Sequence, residues 1–319
     1  MGVNTLRDMN STALKIVDNV GMAFVGKRGT IEKIVVAILS SGHVLIEDVP
    51  GVGKTTLVQA IAKSLGCSFK RIQFTPDLLP SDITGISVYN SKTGNFEFKE
   101  GPIVANVILA DEINRSSPKT QSSLLEAMQE GQITVDGMTY KLPQPFVVLA
   151  TQNPIEYEGT FPLPEAQLDR FAMRIKIGYP DFEEEKSILK FQEKPSEKID
   201  TVITAQEVIK LREAIKDIHV EDSLEDYIIS VVQATRKHPD IYLGCSPRGS
   251  LALFNASRGL AFIRNRDYVL PDDVKELAQA VLNHRIILKP EARMKGKTVS
   301  DVVSSILDSI RVPVVRSNG

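Results

Sequence analysis

The residues Glu47-Asp48-Val49-Pro50-Gly51-Val52-Gly53-Lys54-Thr55-Thr56 follow directly on the apolar run His43-Val44-Leu45-Ile46. Strand, glycine-rich turn and helix start, in that order, aim backbone N–H groups, a helix N-terminus and one lysine at the same anion. Gly51 and Gly53 let the backbone curl around phosphates where a Cβ would intrude. Lys54 places a point charge on the β- and γ-oxygens of a nucleoside triphosphate, and Thr55 offers a hydroxyl to Mg²⁺ at the helix start. The strict pattern wants glycine at the first loop position, and Asp48 stands there instead.

A second acidic element follows about one strand-helix-strand unit later. Val107-Ile108-Leu109-Ala110 delivers Asp111 and Glu112 to the C-terminal end of an apolar strand, the edge at which ligands sit in open α/β sheets. Asp111 can hold Mg²⁺, directly or through water. Glu112 can take a proton from the attacking water or orient it, which favours hydrolysis over transfer. A further buried run, Phe146–Thr151, ends in Gln152-Asn153-Pro154, where Asn153 could hydrogen-bond a γ-phosphate or simply open a turn. Arg170, in Leu168-Asp169-Arg170-Phe171, and Arg248, in Ser246-Pro247-Arg248, each stand near a helix boundary. Arginine there suits the charge spread over a phosphoryl group in transfer.

The elements that must position these groups alternate in the first half of the chain. Apolar runs at His43–Asp48, Phe69–Phe74, Asn106–Asp111, Phe146–Thr151 and Ala172–Ile177 read as strands, several of them nearly continuous as in parallel strands buried on both faces. Helices are predicted at Thr55–Leu65 and at Pro118–Glu130, the second with Ser117 as N-cap and Gly131 just past its end. Two hairpins interrupt the pattern: Ser87–Glu100, turning at Lys92-Thr93-Gly94-Asn95, and Gln132–Leu142, turning at Asp136-Gly137. They either cap the sheet or move against a substrate or a neighbouring subunit. After Tyr179-Pro180 the strand signal fades and helix starts take over: Thr204 with Glu207, Ser246-Pro247, Pro271, and Thr298 with Asp301. The expectation is a doubly wound parallel α/β domain over residues 1–180 and a helical domain over 181–319.

Composition narrows the partners. The 319 residues carry a formal net charge of −2, where a protein gripping nucleic acid more often shows a basic excess. No apolar run approaches the length of a membrane span, and the N-terminus lacks the apolar core of a signal peptide, so a cytoplasmic protein is expected. Cys67 and Cys245 lie far apart without metal-type spacing and read as buried thiols, and the four histidines are scattered.

Taken together, the loop Glu47–Thr55, Leu109-Ala110-Asp111-Glu112-Ile113-Asn114-Arg115, Pro118–Met128, Ala150–Pro154 and Leu163–Phe171 resemble the AAA+ ATPases, and specifically the MoxR family, over nearly the whole chain. That family relaxes the first glycine, so Asp48 is compatible with it. The resemblance implies an AAA+ core with β-hairpin insertions and a helical lid, binding ATP and Mg²⁺. It makes Asn153 the sensor 1 residue, Arg170 the arginine finger that enters a neighbour's site, and Arg248 the sensor 2 arginine of the lid. Val25 and Gly26 would wall the adenine pocket, with Pro50, Gly51, Val52, Gly53, Lys54, Thr55 and Thr56 around the phosphates and Thr55 and Asp111 on the metal. Arg115 and Lys119 would face either an adjoining subunit or solvent. The implied assembly is a homo-oligomeric ring, a hexamer. It would act as a chaperone-like factor in maturing or activating protein complexes, metal or cofactor insertion among its tasks, with a von Willebrand factor A domain protein as partner. A magnesium-chelatase-type motor subunit, a nucleic-acid motor and a nucleotide-gated binding module are the alternatives.

Overall fold

A computed structural model describes residues 6–49, 51–153, 159–193 and 199–313. Two helices, α1 (Leu6–Ala23) and α2 (Arg28–Leu39), precede β1 (Val44–Glu47), α3 (Lys54–Ser64), β2 (Phe69–Gln73) and the short α4 (Pro80–Thr84). A hairpin, β3 (Gly85–Asn90) with β4 (Asn95–Glu100), leads to β5 (Val107–Asp111) and α5 (Pro118–Glu130). A second hairpin, β6 (Gln132–Val135) with β7 (Met138–Lys141), leads to β8 (Val147–Gln152), α6 (Glu165–Leu168) and β9 (Met173–Ile175). Helices dominate thereafter: α7 (Phe182–Glu193), α8 (Ala205–Lys216), α9 (Asp222–Lys237), α10 (Pro247–Ile263), α11 (Pro271–Leu282), α12 (Pro290–Met294) and α13 (Val299–Ser309). Between them β10 (Ile241–Leu243) and β11 (Ile287–Leu288) pair as a short antiparallel ribbon, an addition the sequence reading did not foresee.

The central sheet has the order β2-β5-β8-β1-β9, and every pairing is parallel. Its apolar residues alternate between two cores, as the strand period of two requires. Val44, Ile46, Val107, Leu109, Val147 and Leu149 pack with α1, α2, α3 and the later helices. Leu45, Ile108, Ala110, Val148 and Ala150 pack with α5 and the bases of the hairpins.

Both hairpins form as the turn signals predict. Asp136 and Gly137 take positive φ (49° and 79°), the left-handed pair a two-residue turn needs. Phe98 of β4 stacks on Tyr140 of β7 with ring centroids 4.1 Å apart, which joins the two insertions. The caps read from the sequence also form: Ser117 accepts from Thr120 N, and Thr204 with Glu207 and Thr298 with Asp301 make capping boxes. Cys245 is buried, whereas Cys67 is only partly so, against the expectation of two buried thiols. Cys67 lies in the turn between α3 and β2, flanked by the exposed Gly66 and Ser68.

The later helices are bolted to α2. Arg212 of α8 donates to the Ile38 carbonyl from Nε and Nη2 at 3.1 and 2.9 Å. Gly259 of α10 lets the backbone come so close that a Cβ there would stand 2.4 Å from Ser40 Oγ.

Candidate active site

Gly51 (φ 89°) and Gly53 (φ 81°) turn the chain after β1 through left-handed backbone that a side chain would strain. Gly53 is the N-cap of α3, so the first-turn amides of that helix open onto the loop. Lys54 Nζ donates to the carbonyls of Asp48 and Val49 at 3.0 and 3.2 Å, which holds its charge over the loop. Thr55 and Thr56 follow in the first turn of α3. Pro50 lies outside the described residues.

Asp48 has a structural task that glycine could not perform. It is buried, and its Oδ1 accepts from Val49 N at 2.9 Å. Its Oδ2 accepts from Ile177 N at 2.7 Å and Gly178 N at 2.6 Å. The carboxylate therefore ties the loop to the stretch that leads from β9 into α7. That stretch matters because a cavity of about 460 Å³ is lined jointly by Val25, Gly26, Gly51, Val52, Gly53, Thr56, Gly178, Tyr179, Pro180 and Ile188. Apolar walls beside a phosphate loop suit a base and ribose.

At the next parallel strand end, Asp111 and Glu112 are organised by Thr151 of β8. Its hydroxyl donates to Asp111 Oδ1 at 2.6 Å and accepts from Glu112 N at 2.8 Å. Glu112 has left-handed backbone (φ 56°), a conformation uncommon for a non-glycine residue. The turn after it is held by the buried Gln121, whose Nε2 donates to the carbonyls of Ile113, Ser116 and Phe161. Asn153, at the end of β8, is buried beside this edge, and its carbonyl accepts from Asn114 Nδ2.

Two residues of β2 complete this edge. Arg71 pairs with Asp111 Oδ2 through Nε (3.1 Å) and Nη2 (2.5 Å), and its Nη2 also donates to Gln73 Oε1. Gln73 Nε2 in turn donates to Glu112 Oε2 at 2.8 Å, and Arg115 Nη1 reaches the same oxygen at 3.0 Å. Both carboxylates are thus joined through one strand. A divalent cation fits this donor set in character. Thr55 and Asp111 offer hard oxygens, and among the described residues no three His, Cys, Asp or Glu group as a ready-made cage. Few protein ligands, completed by phosphate and water, is how Mg²⁺ is usually held.

Arg170 and Arg248 come together, but away from this edge. Both line a separate cavity of about 290 Å³ with Gly42, His43, Met128, Asp169 and Arg285. Gly42 and His43 precede β1, whereas the loop follows it. Arg170 precedes β9, whose Met173 is level with Val44. The parallel strands thus put the arginines and the loop on opposite sheet edges, separated by β1's four residues, about 13 Å at ~3.3 Å each. Neither Arg170 nor Arg248 makes a side-chain hydrogen bond or ion pair among the described residues. Of Arg115 and Lys119, expected to face either a neighbour or solvent, Arg115 pairs with Glu112 and Lys119 is exposed.

Beyond the residues predicted from sequence, the site gains Arg71, Gln73, Thr151, Gln121 and the tether role of Asp48. Arg71 and Gln73 left one signal: two polar residues at spacing i, i+2 in a run otherwise read as a buried strand.

Known proteins resemble this chain over nearly its full length. Residues 43–173 match the ATPase family associated with various cellular activities (AAA), and residues 233–306 match the AAA lid domain. An uncharacterized protein of Bacillus subtilis, YeaC, is 53% identical over 97% of this chain and 98% of its own length. Chaperone MoxR1 of Mycobacterium tuberculosis is 42% identical over 96% of this chain and 84% of its own. The crystal structure of a candidate ATPase from Cytophaga hutchinsonii aligns with a TM-score of 0.90 at 42% identity, covering 96% of each chain. An AAA+ core, a helical lid and relatives of this closeness over nearly the full length establish that the chain belongs to the MoxR family of AAA+ ATPases.

Proposed function

We propose that this ATPase hydrolyses Mg-ATP at a site shared between two copies of the chain in a closed ring, a hexamer, and that it acts as a chaperone-like factor in maturing protein complexes. The observation that carries the reading is the separation of two arginines, without a side-chain partner among the described residues, from the loop of their own chain. Lys54, Asp111, Glu112 and Asn153 serve one sheet edge and Arg170 and Arg248 the other. A head-to-tail contact, which closes into a ring when its rotation allows, brings the two edges together.

Within such a site Lys54 and the loop amides hold the phosphates, Val25 and Gly26 line the base, and Thr55 and Asp111 hold the metal. Bound Mg²⁺ would supply charge neutralisation across the β- and γ-oxygens. Glu112 takes the proton of the attacking water, and Asn153 orients that water or the γ-phosphate. Arg170 and Arg248 from the neighbour stabilise the charge of the transferring group. We place the boundary between the α/β core and the lid near residue 180, between the end of β9 and the start of α7. A von Willebrand factor A domain partner and a cytoplasmic location come with the family reading. Among the described residues no helix is long and apolar enough to cross a membrane.

Glu112→Gln tests the assignment of the base. It should retain ATP while turnover falls on the order of 100-fold or more, the usual contribution of a positioned base. Wild-type turnover in that variant would remove Glu112 from the role.

A further inference from the structure

The segment that bears Arg170 is fastened to the lid by one partly buried cluster. Asp169 Oδ1 accepts from Arg285 Nε at 2.8 Å, and Asp169 Oδ2 accepts from the Ser246 hydroxyl at 2.8 Å. Ser246 is the N-cap of α10 and accepts from Arg248 N at 3.1 Å. One carboxylate thus touches the residue two before Arg248 while sitting next to Arg170 in sequence.

Arg285 itself is spent on structure. It is 6% exposed and donates to the carbonyls of Phe171 (2.7 Å), Ala172 (3.1 Å) and Asp169 (3.4 Å), and to that of Val281. With the Asp169 bond, all five guanidinium N–H groups are used. Burial pushes its pKa down and the Asp169 carboxylate pushes it back up. Its neighbour His284 adds a bond from Nε2 to the Phe171 carbonyl at 2.9 Å. Arg170 and Arg248, in contrast, line the same cavity with no side-chain hydrogen bond or ion pair among the described residues. Arg285 arranges, and the other two are free to meet an anion.

We propose that Asp169, Ser246 and Arg285 are positioning residues that lock the core-borne Arg170 and the lid-borne Arg248 into a single two-arginine unit, presented to the nucleotide of a neighbouring copy. This rests on the reading that these arginines act across a chain interface. Fixing both in advance removes the cost of ordering two long side chains from separate domains in the transition state. It also makes this face of the core move with its own lid, so that motion in the catalytic cycle falls at the contact between chains.

The test uses full-length Asp169→Asn and Ser246→Ala, with Ser246→Thr as the conservative control. For Asp169→Asn, kcat should fall roughly 10- to 100-fold, the scale of a misplaced catalytic group, with KM for ATP unchanged. Ser246→Ala should show a smaller loss of the same kind, and Ser246→Thr should restore kcat. Asp169→Asn mixed with Lys54→Ala should regain activity, because its intact loop then meets intact arginines. Wild-type kcat in both Asp169→Asn and Ser246→Ala would overturn the proposal. So would a mixture that stays silent while a matched mixture of Arg170→Ala and Lys54→Ala regains activity; the intersubunit reading would survive that result. If the matched mixture is silent too, the intersubunit reading falls and the positioning proposal with it.

Discussion

Asp48 offers a quantitative test of how the nucleotide loop is held. Its carboxylate accepts three backbone N–H groups, from Val49, Ile177 and Gly178, at 2.9, 2.7 and 2.6 Å. Hydrogen bonds to a charged group contribute about 1.5–3 kcal/mol each. In Asp48→Asn the amide keeps one acceptor oxygen and turns an N–H₂ toward at least one donor. One or two of the three bonds are lost, and the expected destabilisation is about 2–4 kcal/mol. Urea denaturation reads this directly. For a chain of this size, with a slope of about 3 kcal/mol per molar, the midpoint should fall by about 1 M. ATP affinity should weaken in parallel, since Gly178, Tyr179 and Pro180 line the same cavity as the loop. Asp48→Gly, which recreates the strict loop pattern, should be at least as destabilised. A midpoint shift below about 0.2 M in both variants would refute the tether.

Two further outcomes follow from the same structure. His43 is held neutral, with Nδ1 accepting from Val148 N and Nε2 facing the Met128 carbonyl, and burial lowers its pKa from 6.5 to about 4. The buried His284 is shifted in the same direction, again by burial first. The unfolded chain therefore takes up these protons before the folded one. Stability should be full above pH 6.5 and should decline as pH falls through 4, by up to about 3 kcal/mol for His43; a urea midpoint that is flat across that window, or equally steep in His43→Gln, would contradict this. Arg71→Met frees Asp111 Oδ2 from its ion pair, so the Mg²⁺ needed for half-maximal nucleotide binding should fall a few-fold; calorimetric titration that finds no change would show that the pair does not compete with the metal.

The sequence carried what is written in contiguous residues. Gly51, Gly53 and Lys54 announce the loop, Asp111 and Glu112 the strand end, and Asp136-Gly137 a hairpin, because each is a local backbone or spacing requirement. Arg71 and Gln73 are visible as polar residues in an apolar run, but their partners are not, since these are set by β2 lying beside β5. The cluster of Asp169, Ser246 and Arg285 spans 116 residues and exists only once α10 and the turn after α11 fold back on β9. Arg170 and Arg248 were recognised as chemistry, but their place on the edge opposite Lys54 is a property of a parallel sheet's direction, which local sequence does not state. Asp48 departs from the strict loop pattern because its carboxylate serves two amides, of Ile177 and Gly178, about 130 residues away.

The central claim is that catalysis joins the loop of one chain to the arginines of another. Lys54→Ala and Arg170→Ala should each be inactive alone. Mixed in equal amounts before assembly, they should regain about a quarter of wild-type ATPase per site, since random heterologous contacts pair an intact loop with an intact arginine at that frequency. A mixture as silent as its parents, with assembly intact, would contradict the account.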